Sequence, residues 1–116
     1  MYLDKIPENY QDDIIKARNL LKQEGCKSVF LFGSLVTGRF HENSDIDIGV
    51  IGLPPKKYFR VYANLDRESS NKIDLVDFDL RKDFYALLNS LGEVVELEWS
   101  IKGKNIIWNI SNRQIT

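Results

Sequence analysis

FGSLVTGRFHENSDIDIGV, residues Phe32 to Val50, joins two unlike halves. The first carries Gly33 and Gly38 at the spacing of a phosphate-binding P-loop. The second sets Asp45 and Asp47 one residue apart within an apolar run. A P-loop needs Lys and then Ser or Thr after its second glycine, the one to reach terminal phosphates and the other to hold Mg²⁺. This chain has Arg39 and Phe40 there, so that mechanism is absent. A calcium loop fails as well, because Gly49 comes one position early and the twelfth position is Lys56 rather than Glu.

What remains is a strand that ends at Gly33-Ser34 and turns into a helical segment over Ser34 to Thr37. That geometry offers backbone N–H groups and a hydroxyl to phosphate oxygens. Asp45 and Asp47 then leave one face of a second strand, while Ile46, Ile48 and Val50 leave the other. Two carboxylates on one face repel unless a cation lies between them, and hard divalent ions such as Mg²⁺ prefer such oxygen ligands.

Farther along, Lys72 to Phe78 (KIDLVDF) is a third strand interrupted by Asp74, with Val76 and Phe78 on the same face. If the second and third strands are neighbours, Asp74 reaches the Asp45/Asp47 pair and completes a two-metal cluster of the kind that serves in-line phosphoryl displacement. Asp47 and Asp74, flanked by apolar residues, are costly to bury without a partner.

Around this centre, Glu8 to Glu24 reads as an amphipathic helix through Ile14, Ala17, Leu20 and Leu21, closed by Gly25. Ser28 to Phe32 is a short buried strand. Lys56 to Ser70, after Pro54-Pro55, reads as a second long helix with Phe59, Tyr62, Ala63 and Asp66 along one side. Asp83 to Leu91 is a third, through Phe84, Leu87, Leu88 and Leu91. Beyond Gly92 two readings stay open: strands around Val95–Ile101 and Ile106–Ile110, or a helix that runs on through Gly92 with only IIWNI extended. The pattern is an α/β or α+β fold, one sheet covered by helices.

The motif Gly33-Ser34…Asp45-Ile46-Asp47, followed by an apolar strand that carries Asp74, resembles the DNA polymerase β-like nucleotidyltransferase superfamily. The short length resembles its minimal branch. The resemblance implies the nucleotidyltransferase fold, a small mixed sheet with helices, over a single domain, residues 1–116. It implies transfer of a nucleoside monophosphate, with AMP the expected group, from ATP or another NTP to a hydroxyl. Gly33, Ser34 and Arg39 would contact the triphosphate. Asp45, Asp47 and Asp74 would hold two Mg²⁺ ions, with Mn²⁺ as a substitute, and Asp74 could take the acceptor's proton. Larger members append an acceptor-binding domain for which this chain is too short. Minimal members are typically paired with a helical HEPN-type protein, in some cases a toxin that the nucleotidyltransferase adenylylates as antitoxin. The competing reading is a non-catalytic subunit that neutralises or scaffolds such a partner by binding.

The composition is that of one small globular domain: 116 residues, 43% hydrophobic and 28% charged, with net charge −1. That charge lacks the electrostatic drive of general nucleic-acid binding. No apolar run has membrane-spanning length, so no membrane partner is expected, and the acidic N-terminal region does not resemble a secretion signal. A single Cys26 forms no internal disulfide and fits a reducing, cytoplasmic setting. Assembly as a homo-oligomer is compatible with this composition. Among the other polar and aromatic residues, Asp77 and Asp79 read as strand-end or helix-capping groups and His41 as a loop residue. Cys26 reads as a small filler, Lys56-Lys57 as a solvated helix start, and Trp99 and Trp108 as core or partner-facing surface.

Overall fold

The computed structural model describes residues 6–102 and 105–111, with side chains described up to residue 98; the Trp99 and Trp108 side chains and the segment before Ile6 lie outside the described part. In chain order the elements are α1 (Glu8–Gln23), β1 (Ser28–Phe32), α2 (Ser34–Thr37), β2 (Ile46–Ile51), α3 (Tyr58–Glu68), β3 (Ile73–Asp77), α4 (Lys82–Leu91), β4 (Val94–Lys102) and β5 (Asn105–Ser111). A 3₁₀ turn over Pro55–Lys57 leads into α3.

The five strands form one mixed sheet in the order β3-β2-β1-β4-β5. Neighbours are antiparallel except β2 and β3, which run parallel. Parallel strands need a crossover, and α3 supplies it. Helices cover both faces. On one face, Ile14, Ala17 and Leu21 of α1 and Val61 and Leu65 of α3 pack on Val29, Leu31, Ile46, Ile48, Val50, Ile73, Leu75, Val95 and Leu97. On the other, Leu88 of α4, flanked by Phe84 and Tyr85, closes over Phe30, Phe32, Phe78 and Val94. The rings there meet at tilted or edge-on angles, with Phe32–Phe84 centroids 5.6 Å apart at 83°, the arrangement that ring quadrupoles favour.

The α3 stripe differs from the sequence expectation. Phe59 is 83% exposed, and Ala63 and Asp66 are exposed too. The buried stripe is Val61 and Leu65, with Tyr58 and Tyr62 half-buried beside them. Its spacing is the i, i+3, i+4, i+7 of one helix face, so the helix is rotated away from Phe59. On α4, Leu88 faces inward as expected, whereas Leu87 and Leu91 are exposed. After Gly92, which ends α4 in the left-handed conformation (φ 72°), the chain forms the β4–β5 pair rather than a continued helix. No helix among the described residues is long and apolar enough to cross a membrane.

Candidate active site

Parallel pairing brings the carboxylates together. Ile46 stands opposite Ile73 and Asp47 opposite Asp74, and paired positions point to one side of a sheet. Across β1 the partner of Asp47 is Phe32, which lies in the core under α4. The aspartates therefore share α4's side of the sheet. Asp47 is half-buried there and Asp74 exposed. Asp45, one residue ahead of β2, is half-buried at the same end of the strand.

The three charges act on one another. Burial, then the like charges of Asp74 and Asp45, push the Asp47 carboxyl up to about 6. Neighbours steady the outer two. The Asp45 Oδ2 lies 3.8 Å from Lys72 Nζ in an exposed ion pair, a weak restraint. The Asp74 Oδ1 accepts from the Tyr62 hydroxyl at 3.4 Å. Burial foremost holds that hydroxyl above its ordinary value, so Tyr62 remains a phenol that donates.

Gly33 abuts the same carboxylate. Its φ is 79°, and a Cβ built on it would stand 2.1 Å from Asp47 Oδ2. The glycine thus permits the positive-φ turn between β1 and α2 and leaves the room that the Asp47 side chain occupies. From there, the Gly33 carbonyl accepts from Val36 N–H at 3.0 Å and Thr37 N–H at 3.1 Å. This orients the first turn of α2, whose leading N–H groups have no acceptor within the helix. Ser34 begins that turn, and Arg39 is exposed just past Gly38. Gly49, two residues along β2 from Asp47, shows the same economy of space: a Cβ there would lie 2.1 Å from the Phe78 ring.

The other polar residues fall where expected. His41 Nδ1 accepts from Asn43 N–H within the loop. Asp77 is buried, and its Oδ1 accepts from the N–H groups of Asp79 and Leu80 ahead of α4. Burial raises the Cys26 thiol to about 11, which removes it as a nucleophile. Sequence reasoning missed Tyr62. It also missed Tyr10 and Asp13, which are buried under the loops leading into β2 and β3. The available signal was a carboxylate at a core position of an amphipathic stripe, Tyr10-Asp13-Ile14-Ala17-Leu21.

The donors suit a hard divalent cation. Three carboxylates on two adjacent strand ends present oxygen ligands, and their mutual repulsion is the cost that such an ion relieves. As the side chains stand, no three His, Cys, Asp or Glu groups among the described residues close on one point as a ready metal cage. Asp45 leans to Lys72 and Asp74 to Tyr62, through contacts weak enough to exchange for a metal.

Comparisons with known proteins bear on the family. No curated protein matches the chain. Two solved structures resemble it: one described as a toxin-antitoxin with AMP-PNP, at 28% identity and a TM-score of 0.54 over 78% of this chain and 72% of that one. The second, the toxin-antitoxin MntA-HpeT in a mutant form with two aspartates two positions apart changed to glutamate, matches at 27% identity and a TM-score of 0.52 over 73% and 69%. The family model for the polymerase β nucleotidyltransferase domain matches residues 15–106. That range contains Gly33, Ser34 and all three aspartates, and with most of the chain inside it, this protein belongs to the polymerase β nucleotidyltransferase family.

Proposed function

We propose that this protein transfers a nucleoside monophosphate, AMP in the first instance, from a nucleoside triphosphate to a hydroxyl on an acceptor protein, with residues 1–116 acting as one nucleotidyltransferase domain. The observation that carries the reading is the register of Asp47 against Asp74, with Gly33 packed on the Asp47 carboxylate. Asp45 and Asp47 would hold Mg²⁺ against the triphosphate, with Asp74 completing the set on the acceptor side. Two bound ions, Mg²⁺ or Mn²⁺, would neutralise phosphate charge and draw the attacking and leaving oxygens into line.

The remaining steps belong to the chain. The α2 turn at Gly33-Ser34 and the Arg39 guanidinium bind triphosphate oxygens. Asp74 accepts the proton of the acceptor hydroxyl, whose oxygen bonds to the α-phosphorus. The bond from that phosphorus to the bridging oxygen breaks, and pyrophosphate leaves. Tyr62 holds the Asp74 carboxylate in the free protein.

The two similar structures support a toxin–antitoxin role, in which we propose a helical HEPN-type protein as acceptor and partner. One is described with AMP-PNP, a nucleoside triphosphate analogue, and the other with altered aspartates at the spacing of Asp45 and Asp47. Exposed Phe59, Leu80, Leu87 and Leu91 offer apolar surface for a partner.

The test is to co-purify the chain with its cellular partner and incubate the complex with Mg²⁺ and ATP labelled at the α-phosphate. Covalent label on a protein, lost in Asp74→Asn, is the expected result. Nucleotide binding without label transfer in the intact complex would refute catalysis and leave a subunit that neutralises its partner by binding.

A further inference from the structure

Two buried polar side chains on one turn of α1 have work beyond packing. Tyr10 is 2% exposed and Asp13 1%. Three residues apart, they lie on the same helix face, the face that continues through Ile14, Ala17 and Leu21 into the core. Their polar atoms go to different loops. The Tyr10 hydroxyl lies 2.9 Å from the Ser44 carbonyl and 3.2 Å from those of His41 and Glu42, and shares its one proton among them. This loop leads directly into Asp45 and β2. The Asp13 carboxylate accepts from Ser70 N–H at 3.1 Å, Asn71 N–H at 2.8 Å and Asn71 Nδ2 at 2.9 Å. That loop leads directly into β3 and Asp74. The two loops then meet where Ile46 N–H donates to the Lys72 carbonyl at 2.9 Å, the bond that begins the β2–β3 ladder.

We infer that Tyr10 and Asp13 are positioning residues: one turn of α1 clamps the starts of both aspartate-bearing strands and so holds Asp45 and Asp47 against Asp74. The inference rests on the metal-site reading above. A pair of residues that served packing alone would be apolar, because a buried carboxylate is costly unless fully paired. Here its three donors all come from one loop, so its cost is offset only while that loop is in place. A strand slipped by one residue would turn its aspartates to the opposite face, and separate anchors ahead of each strand oppose that slip. Tyr10 adds an edge contact to Phe40, with ring centroids 6.4 Å apart, which places the same loop from its other end.

The experiment compares metal affinity with stability. Mn²⁺ binding in the presence of AMP-PNP is followed by the electron paramagnetic resonance of free Mn²⁺, for wild type, Tyr10→Phe and Asp13→Asn. Leu97→Ala, fully buried on β4 on the face away from the aspartates and past the Phe30–Glu96 pair, toward the end of the sheet opposite Asp47, serves as a variant of lowered stability. The expected result is a fivefold or greater weakening of Mn²⁺ in Tyr10→Phe and Asp13→Asn, with Leu97→Ala within twofold of wild type. Tyr10→Phe keeps the packed ring and carries the test alone where Asp13→Asn does not fold. Wild-type affinity in Tyr10→Phe, or equal weakening in Leu97→Ala, overturns the positioning role and leaves the metal site standing. Absence of Mn²⁺ binding by wild type overturns the metal-site reading, and this inference with it.

Discussion

Gly33 shows how closely backbone and site are joined at the level of one residue. Alanine there would have to adopt φ 79°, ψ −148°, a region essentially confined to glycine at a cost of about 1–3 kcal/mol, and would drive its Cβ into Asp47 Oδ2 at 2.1 Å. Gly25 also has a positive φ, +100°, but open space around it, so Gly25→Ala carries a backbone cost without the clash. Urea denaturation should find Gly33→Ala less stable than Gly25→Ala by roughly a further 1–3 kcal/mol of overpacking, and it should also bind nucleotide less tightly. Asp47 makes the converse case. Its carboxyl titrates near 6 in the fold against 3.8 unfolded, so the native state holds this proton more tightly. The stability it contributes is fully present below about pH 4 and is lost as pH rises through about 6. Asp47→Asn should therefore stabilise the protein at pH 7 by about 1–2 kcal/mol, after discount for partial exposure, while it removes metal binding. Denaturation of both proteins at pH 4 and pH 7 checks this; a wild-type-minus-variant difference that does not change with pH would contradict it. The aspartates and Gly33 were legible in the sequence because charge inside an apolar strand and glycine before a helical turn each carry a physical cost. The contact between Gly33 and Asp47 was not, since it depends on β1 and β2 lying side by side.

Among the elements, α1 and the first three strands were read within a residue or two because their apolar runs have one clear period. α3 misled in part: Phe59 and Ala63 drew attention by size and spacing but are exposed, whereas Tyr62 does pack on the core beside Val61 and Leu65, the residues that reach it. An exposed aromatic beside a genuine stripe gives no local sign of which will face inward, because tertiary packing sets the helix rotation. Leu65→Ala should cost about 2–5 kcal/mol in thermal or urea unfolding, whereas Phe59→Ser should stay within about 0.5 kcal/mol. Comparable losses in both would show α3 to be rotated from its place here. The β4–β5 pair was ambiguous for another reason. Val94 lies in the core under α4, and Val95 lies in the core under α1 and α3. A strand covered on both faces loses the alternation that separates strand from buried helix.

For the whole molecule, the placement of the site follows from sheet order. Helices close both faces of the sheet, yet the side shared by Asp45, Asp47 and Asp74 stays accessible at the starts of β2 and β3. The sequence could offer Asp74 as a third ligand only on condition that β2 and β3 are neighbours; the parallel register meets that condition. No periodicity within either strand encodes the adjacency, which arises from the α3 crossover and the loops anchored by α1. Binding of a nucleoside triphosphate at this patch through divalent metal, as proposed, is tested by calorimetric titration of ATP, with and without Mg²⁺, into wild type and into the Asp45→Asn/Asp47→Asn double variant, each shown to be folded. Mg²⁺-dependent binding in wild type that disappears in the variant is the predicted result. Equal ATP binding by both proteins, or binding indifferent to Mg²⁺, would contradict it.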